Sequence, residues 1–311
     1  MNIITITLNP AFDVHCSAPD LTLYHENLAE ITSTDAGGKG INISRALTLN
    51  EIDNLAFTIL GDENGESFER ALSAENIIYR AITVKGRIRE NITCHTEGAP
   101  ETRISFKGFS IDDALLREAG NSLLSYIDDD TVVTFTGRVP SGVNMDSIKV
   151  FLYQFTSKGA KLVIDSRSFS LDDLREMRPW LIKPNQEEIS EYLGREITEF
   201  DEIISAAKSL HKDGIENVMI SLGGDGAMLV CDDGVFVATP PKINVISTIG
   251  AGDSSIAGFL SAAKSGKCSR EQLREAVAFG SAACLTEGTK PPRKDDIKWL
   301  LPLITLKTNM Q

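Results

Sequence analysis

Ser247-Thr248-Ile249-Gly250-Ala251-Gly252-Asp253-Ser254-Ser255-Ile256-Ala257-Gly258-Phe259 sets a glycine turn and one carboxylate at the mouth of an apolar helix. Gly250 and Gly252 can take backbone angles closed to other residues, which lets consecutive N–H groups, that of Ala251 included, converge on one point. The helix predicted from Asp253 to Ala263 adds the partial positive charge of its N-terminus to the same spot. An anion is expected there. A carboxylate beside an anion needs a task, and accepting the proton of an attacking hydroxyl during phosphoryl transfer is one. Capping of the helix by Asp253 or Ser254 is another, and these residues alone leave both open.

Outward from this turn the chain alternates strand and helix. Buried strands are predicted at Ile3–Leu8, Leu55–Leu60, Thr131–Thr136, Lys161–Asp165, Leu181–Ile182, Val218–Leu222, Ala227–Cys231 and Val235–Ala238. Helices are predicted at Glu66–Ala74, Met145–Ser157, Glu187–Leu193, Glu202–Lys212 and Arg270–Leu285. Such alternation predicts a mostly parallel sheet with helices on both faces and ligands at the strand carboxyl ends. Four shorter runs read differently. Val14–Ser17, Leu28–Thr32, Arg87–Thr96 and Glu101–Phe106 alternate in polarity, the last two flanking a four-residue loop, Glu97-Gly98-Ala99-Pro100. They predict a small half-buried sheet outside the main body. No repeat or long linker interrupts residues 1–311, so one α/β domain carrying a lid from segments 13–34 and 86–107 is expected.

A chain of 311 residues, 42% of them hydrophobic, can bury a large core. Its net charge of −13 argues against nonspecific binding to nucleic acid or an anionic membrane. Any phosphate pocket must then be locally basic. The five scattered cysteines form no Cys-x-x-Cys pair and suit a reducing cytoplasm, while the four histidines are not spaced as paired metal ligands. No basic leader opens the chain and no apolar run approaches a membrane span.

Further segments can hold ligands. In Ala36-Gly37-Gly38-Lys39-Gly40-Ile41-Asn42 the glycines permit close approach, and Lys39 and Asn42 can reach a hydroxyl or phosphate. An ordinary turn before a helix reads the same way. Neither a Walker A spacing nor a complete Gly-x-Gly-x-x-Gly occurs. Ser221-Leu222-Gly223-Gly224-Asp225-Gly226 offers either a flat surface for a nucleotide or a tight turn. In Lys183-Pro184-Asn185-Gln186-Glu187-Glu188, Asn185 and Glu188 can orient water around Mg²⁺ or form a capping box. Asp13 can accept two bonds from vicinal sugar hydroxyls, and the planar guanidinium groups of Arg89 and Arg103 on the lid hairpin suit a phosphate.

Together these segments resemble the phosphofructokinase B family of carbohydrate kinases. The likeness runs through Thr7 to Asp13, Gly37 to Asn42, Leu60-Gly61-Asp62 with Gly65, Lys183-Pro184-Asn185, Ser221 to Gly226 and Ser247 to Gly258, in the family's order and over nearly the whole chain. The opening Thr5 to Pro10 and the run Gly86 to Asn91 are most similar to the branch acting on fructose 1-phosphate, and the tagatose 6-phosphate kinases are similar too. The resemblance implies a ribokinase-like three-layer α/β/α sandwich with a β-sheet lid. It implies an ATP- and Mg²⁺-dependent kinase that phosphorylates a phosphosugar, fructose 1-phosphate before tagatose 6-phosphate, with Asp253 as a base of ordinary pKa. The anion hole then falls on Ala251, Gly252 and Asp253. Nucleotide contacts fall on Lys183, Asn185, Ser221, Gly223, Gly226, Thr248 and the Gly250 loop, magnesium on Asn185 and Glu188, and sugar on Asp13, Gly38, Lys39, Asn42, Arg89 and Arg103. A homodimer through the lid is expected, and a sensor that binds without turnover is the alternative. One departure stands out. Where the family shows Ser-Gly-Ser-Leu-Pro the chain has Thr136-Gly137-Arg138-Val139-Pro140, so Arg138 either binds the substrate phosphate or turns outward.

Overall fold

Thr5 and Thr7 alternate with Ile4 and Ile6, yet all four are buried. Their strand, β1 (Asn2–Thr7), lies inside a ten-stranded sheet covered on both faces, so no side of it meets water. The polar side is satisfied by the first helix: Thr5 Oγ1 lies 2.7 Å from Ser44 Oγ, and the Ile41 N–H donates to Thr7 Oγ1 at 3.1 Å. Buried hydroxyls with partners cost little, whereas unpaired ones would cost about 1–3 kcal/mol each.

The computed structural model describes residues 1–98 and 101–308; Ala99 and Pro100 of the expected lid loop lie outside them. After β1 come β2 (Ala11–Ala18), β3 (Glu30–Gly37), α1 (Lys39–Leu49), β4 (Leu55–Gly61), α2 (Gly65–Ala74) and β5 (Tyr79–Val84). Next are β6 (Arg89–Thr96), β7 (Thr102–Ser105), α3 (Asp113–Leu123), β8 (Thr131–Thr136), α4 (Met145–Thr156), β9 (Lys161–Asp165), α5 (Leu171–Met177) and β10 (Leu181–Ile182). The remainder is α6 (Gln186–Leu193), α7 (Phe200–Lys212), β11 (Asn217–Ser221), β12 (Ala227–Cys231), β13 (Gly234–Thr239), α8 (Ala251–Lys264), α9 (Ser269–Ala283), α10 (Lys294–Leu300) and β14 (Thr305–Thr308).

The large sheet has the order β14-β13-β12-β11-β10-β9-β8-β1-β4-β5. From β11 to β5 all neighbours are parallel, and β12, β13 and β14 close the other end as an antiparallel meander. Helices α2 to α7 pack on one face through residues such as Phe68, Leu116, Ile148 and Ile203. Helices α1, α8, α9 and α10 cover the other through Ile43, Phe259, Leu273 and Leu300. Helix α8 is apolar nearly all round because it lies between the sheet and α9. Each fully buried Ile256, Phe259 or Leu260 contributes on the order of 2 kcal/mol of transfer free energy.

A separate four-stranded sheet has the order β3-β2-β6-β7, with β2 and β6 parallel and the outer pairs antiparallel. Its two insertions leave the carboxyl ends of β1 and β5. The strand expected at Leu28–Thr32 lies later in the chain. β3 starts at Glu30 and runs to Gly37, because Ala11 to Ser17 of β2 pair with Gly37 back to Glu30. Leu28 is left in the exposed loop before it.

Candidate active site

The turn before α8 is built as its glycines require. Gly250 is the N-cap, at a left-handed φ of 76°, and no side chain caps the helix. Capping by Asp253 or Ser254 is thereby excluded. The Ala251 N–H donates to the Thr248 carbonyl at 3.4 Å, whereas the N–H groups of Gly252 and Asp253 have no acceptor among the described residues. Two first-turn donors therefore remain available to an anion. The Lys183 ammonium stands 3.1 Å from where a Cβ on Gly252 would lie, so only glycine leaves that lysine its place.

The Asp253 carboxylate is 7% exposed and points inward, accepting from Asn42 Nδ2 at 2.9 Å. Nearby, Lys39 Nζ contacts Asp165 Oδ2 at 2.9 Å, and Lys183 Nζ lies 3.8 Å from Asp165 Oδ1. Burial pushes the Asp253 carboxyl up to about 6, Asp165 adding to the rise and Lys39, Asn42 and Lys183 opposing it. The expected carboxylate of ordinary pKa is thus corrected: desolvation outweighs the two ammonium groups. Asp165, equally buried, moves the other way because Lys183 and Lys39 outweigh its desolvation. Burial lowers Lys39, but Asp165 and Asp253 together hold it above its usual value.

At the sugar end, burial raises the Asp13 carboxyl against the Asn91 hydrogen bond and the charges of Arg45 and Arg89. Asn91 Nδ2 donates to Asp13 Oδ1 at 2.8 Å, and Arg89 Nη1 donates to Asn91 Oδ1 at 3.1 Å. Gly37 must be glycine here, since a Cβ would collide with the Asp13 carboxylate. Gly38, at φ 118°, begins α1 against Thr7. The Arg89 guanidinium is depressed chiefly by burial and also by the neighbouring charge of Arg138; Asp13 opposes this. Its Nε is buried without a partner. Arg138 is itself exposed and carries no ion pair among the described residues. Two guanidinium groups near enough for one to depress the other, with an unused donor, can receive an anion between them. Arg103 stands apart, 56% exposed on the edge strand β7 and paired with Glu101 at 2.9 Å.

On the other side of Gly252 opens a cavity of about 830 Å³ lined by Lys183, Asn185, Ser221, Gly223, Gly226 and Thr248 among others. Gly223 and Gly226 have φ of 60° and 98°, so the loop after β11 is the tight turn and also a side-chain-free wall. Asn185 and Glu188 form the capping box in full. Asn185 Oδ1 accepts from the Glu188 N–H at 2.8 Å, and Glu188 Oε2 accepts from the Asn185 N–H at 2.9 Å. Glu188 Oε1 accepts from Arg167 Nε at 2.9 Å.

The profile described as pfkB family carbohydrate kinase matches residues 15–296. This chain belongs to the pfkB family. The 1-phosphofructokinase of Escherichia coli (strain K12) is 33% identical over 281 residues, 90% of each chain. That of Bacillus subtilis (strain 168) is 33% identical over 285 residues, 92% of this chain and 93% of its own. In fold, the chain matches Escherichia coli phosphofructokinase-2, crystallised with substrates and products, at a TM-score of 0.90 and 27% identity over 97% of this chain and 99% of that one. As a pfkB carbohydrate kinase it is a phosphotransferase acting on a hydroxyl group, on the ribokinase-like three-layer fold that its motifs imply.

The pfkB family uses ATP, with Mg²⁺ typically implied. Both Glu188 oxygens already accept hydrogen bonds, and among the described residues no group of three His, Cys, Asp or Glu side chains could hold a metal ion. Of the two residues expected at magnesium, Asn185 lines the cavity and Glu188 does not, so a cation there would meet them only through intervening water. Sequence reading missed Asp165, Asn91 and Arg45. Asp165 had a signal, a carboxylate at the carboxyl end of a parallel strand, where ligands gather. Asn91 sat inside a recognised motif without an assigned role. Arg45 had none, since its partners come from α1, β3 and the end of α2.

Proposed function

We propose that the protein transfers the γ-phosphoryl group of ATP to the 6-hydroxyl of fructose 1-phosphate in the cytoplasm. The observation that carries this reading is the inward carboxylate of Asp253 beside the unpaired first-turn amides of α8, between a cavity with one glycine-built wall and the neighbouring guanidinium groups of Arg89 and Arg138. The acceptor is taken from the relatives named 1-phosphofructokinase. In the step, the sugar oxygen bonds to the γ-phosphorus, the bond between that phosphorus and the bridging oxygen of ADP breaks, and the hydroxyl proton passes to Asp253. The Gly252 and Asp253 amides, with Lys183 and Lys39, stabilise charge on the moving phosphoryl, while the Ala251 amide stays with the Thr248 carbonyl. Mg²⁺, when bound, supplies charge neutralisation on the triphosphate oxygens. Asp13, Gly38, Lys39 and Asn42 orient the sugar hydroxyls, and Arg89 with Arg138 receives the substrate phosphate. Ser221, Gly223, Gly226, Asn185 and Thr248 cradle the nucleotide.

Two experiments test it. Asp253→Asn should lower kcat at least about a thousandfold while the KM for ATP stays within about threefold, since ground-state nucleotide contacts lie elsewhere. Near-normal kcat in that variant refutes the assignment. A comparison of kcat/KM across fructose 1-phosphate, tagatose 6-phosphate and fructose 6-phosphate at saturating MgATP should favour the first; preference for either of the others moves the acceptor but not the reaction.

A further inference from the structure

Arg45 is a cation in the body of α1, 5% exposed; its charge opposes the rise of Asp13, and the phosphoryl-transfer reading gives it no contact of its own with substrate or nucleotide. Each of its three nitrogens has a partner. Nε contacts Glu75 Oε2 at 2.6 Å, Nη1 donates to Asn42 Oδ1 at 3.0 Å, and Nη2 donates to the Ala36 carbonyl. Glu75 is the C-cap of α2, so the guanidinium is gripped from a second helix. Asn42 in turn donates from Nδ2 to Asp253 Oδ2 at 2.9 Å.

We infer that Arg45, clamped by Glu75, is a positioning residue that fixes which way round the Asn42 amide sits, so that Asp253 always meets its NH₂ and never its carbonyl. The inference rests on the reading of Asp253 as proton acceptor. A guanidinium has donors only and stays charged, so the atom facing it must be an oxygen. Turning the Asn42 amide over would press NH₂ against the guanidinium and a carbonyl against the carboxylate. With Arg45 in place both contacts are attractive; after the flip both are repulsive.

The chemical consequence is local to Asp253. A donated N–H favours the ionised carboxylate, whereas a facing carbonyl favours the protonated acid. The other groups facing Asp253 are Lys39 from α1, Lys183 from the loop after β10 and Asp165 from the end of β9, and Arg45 contacts none of these. An effect of Arg45 on the titration of Asp253 must then pass through Asn42. A purely structural clasp between α1 and α2 would instead lower activity equally at every pH.

The test is the pH dependence of kcat at saturating phosphosugar, where the sugar already engages Asp13, the other carboxyl on which the Arg45 charge acts. In Arg45→Met the acid limb should move up by about one pH unit, the size of an exchanged hydrogen bond to the charged form, which reads as about fivefold less activity than wild type at pH 6, about tenfold less at pH 5 and near-equal activity at pH 8. Glu75→Gln, which keeps the shape of the clamp and removes its charge, should move the limb the same way by less. In an Asn42→Ala background, Arg45→Met should add no further displacement. If Arg45→Met does not fold, Glu75→Gln decides by itself. An acid limb unmoved in the folded variants, or a displacement that persists without Asn42, overturns the inference. These results are distinct from the catalytic reading, which fails only if Asp253→Asn keeps its kcat.

Discussion

Asp253 shows how far one buried side chain governs behaviour. With its carboxyl at about 6, kcat/KM should be level from pH 8 to 7 and fall tenfold per unit below about 6, as a pH profile will show. The folded value lies above that of the unfolded chain, so the folded state holds the proton more tightly. Asp253 therefore opposes folding above pH 6, by up to about 3 kcal/mol, and this penalty disappears as the pH falls toward 4. Asparagine imitates the neutral acid. Asp253→Asn should accordingly melt higher than wild type at pH 8 and equally at pH 4 by calorimetry. At the sugar end, Arg138→Ser should raise the KM for the phosphosugar about tenfold and leave that for ATP unchanged, because the serine cannot replace a charged donor; equal KM values would mean that Arg138 faces outward. Asp253 and its glycines were legible because they are neighbours in the chain. Asn42 and Asp253 are 211 positions apart and Lys39 and Asp165 are 126 apart, so the hydrogen bonds joining them had no trace in local spacing.

Helix α8 carries both the site and much of the second core, and it tolerates no extra atom where it crosses α9. A Cβ on Gly258 would lie 2.5 Å from the Glu275 backbone carbonyl oxygen and 2.9 Å from Phe279 Cβ. Gly258→Ala should therefore cost about 1–3 kcal/mol despite the better helix propensity of alanine, measurable as a lowered urea midpoint. Activity should fall with it, since displacement of α8 moves the amides of Gly252 and Asp253. The strands of the parallel sheet were readable as apolar runs because burial on both faces removes polar residues from them. Edge and surface elements were not. β5 is a half-buried edge strand of mixed polarity, and α3 presents a narrow apolar stripe, Leu116, Ala119 and Leu123, within a polar segment. The expected strand overlapped β3 only at residues 30–32, because Leu28 imitates a strand residue while the rest of the paired stretch, Ser33 to Gly37, is almost wholly polar or small.

For the whole molecule, the lid leaves apolar surface in water. Leu23 and Leu28 are 80% and 82% exposed, with Ile31 and Ile104 on its outer strands exposed as well. A homodimer closing through this sheet would account for them. Sedimentation should find two chains per particle, and Ile31→Glu should shift the population to single chains with the fold intact; a monomeric wild type would discard the pairing. One detail of the chain path sets how this outer sheet communicates with the chemistry. β3 ends at Gly37 and α1 starts at Lys39, so a lone residue separates the lid from the helix that bears Lys39, Asn42 and Arg45. Such a joint has almost no slack. Rocking of the cover would reach Lys39 and Asn42 as a twist of α1, so that closing over a sugar and aligning the groups beneath it would be a single mechanical event.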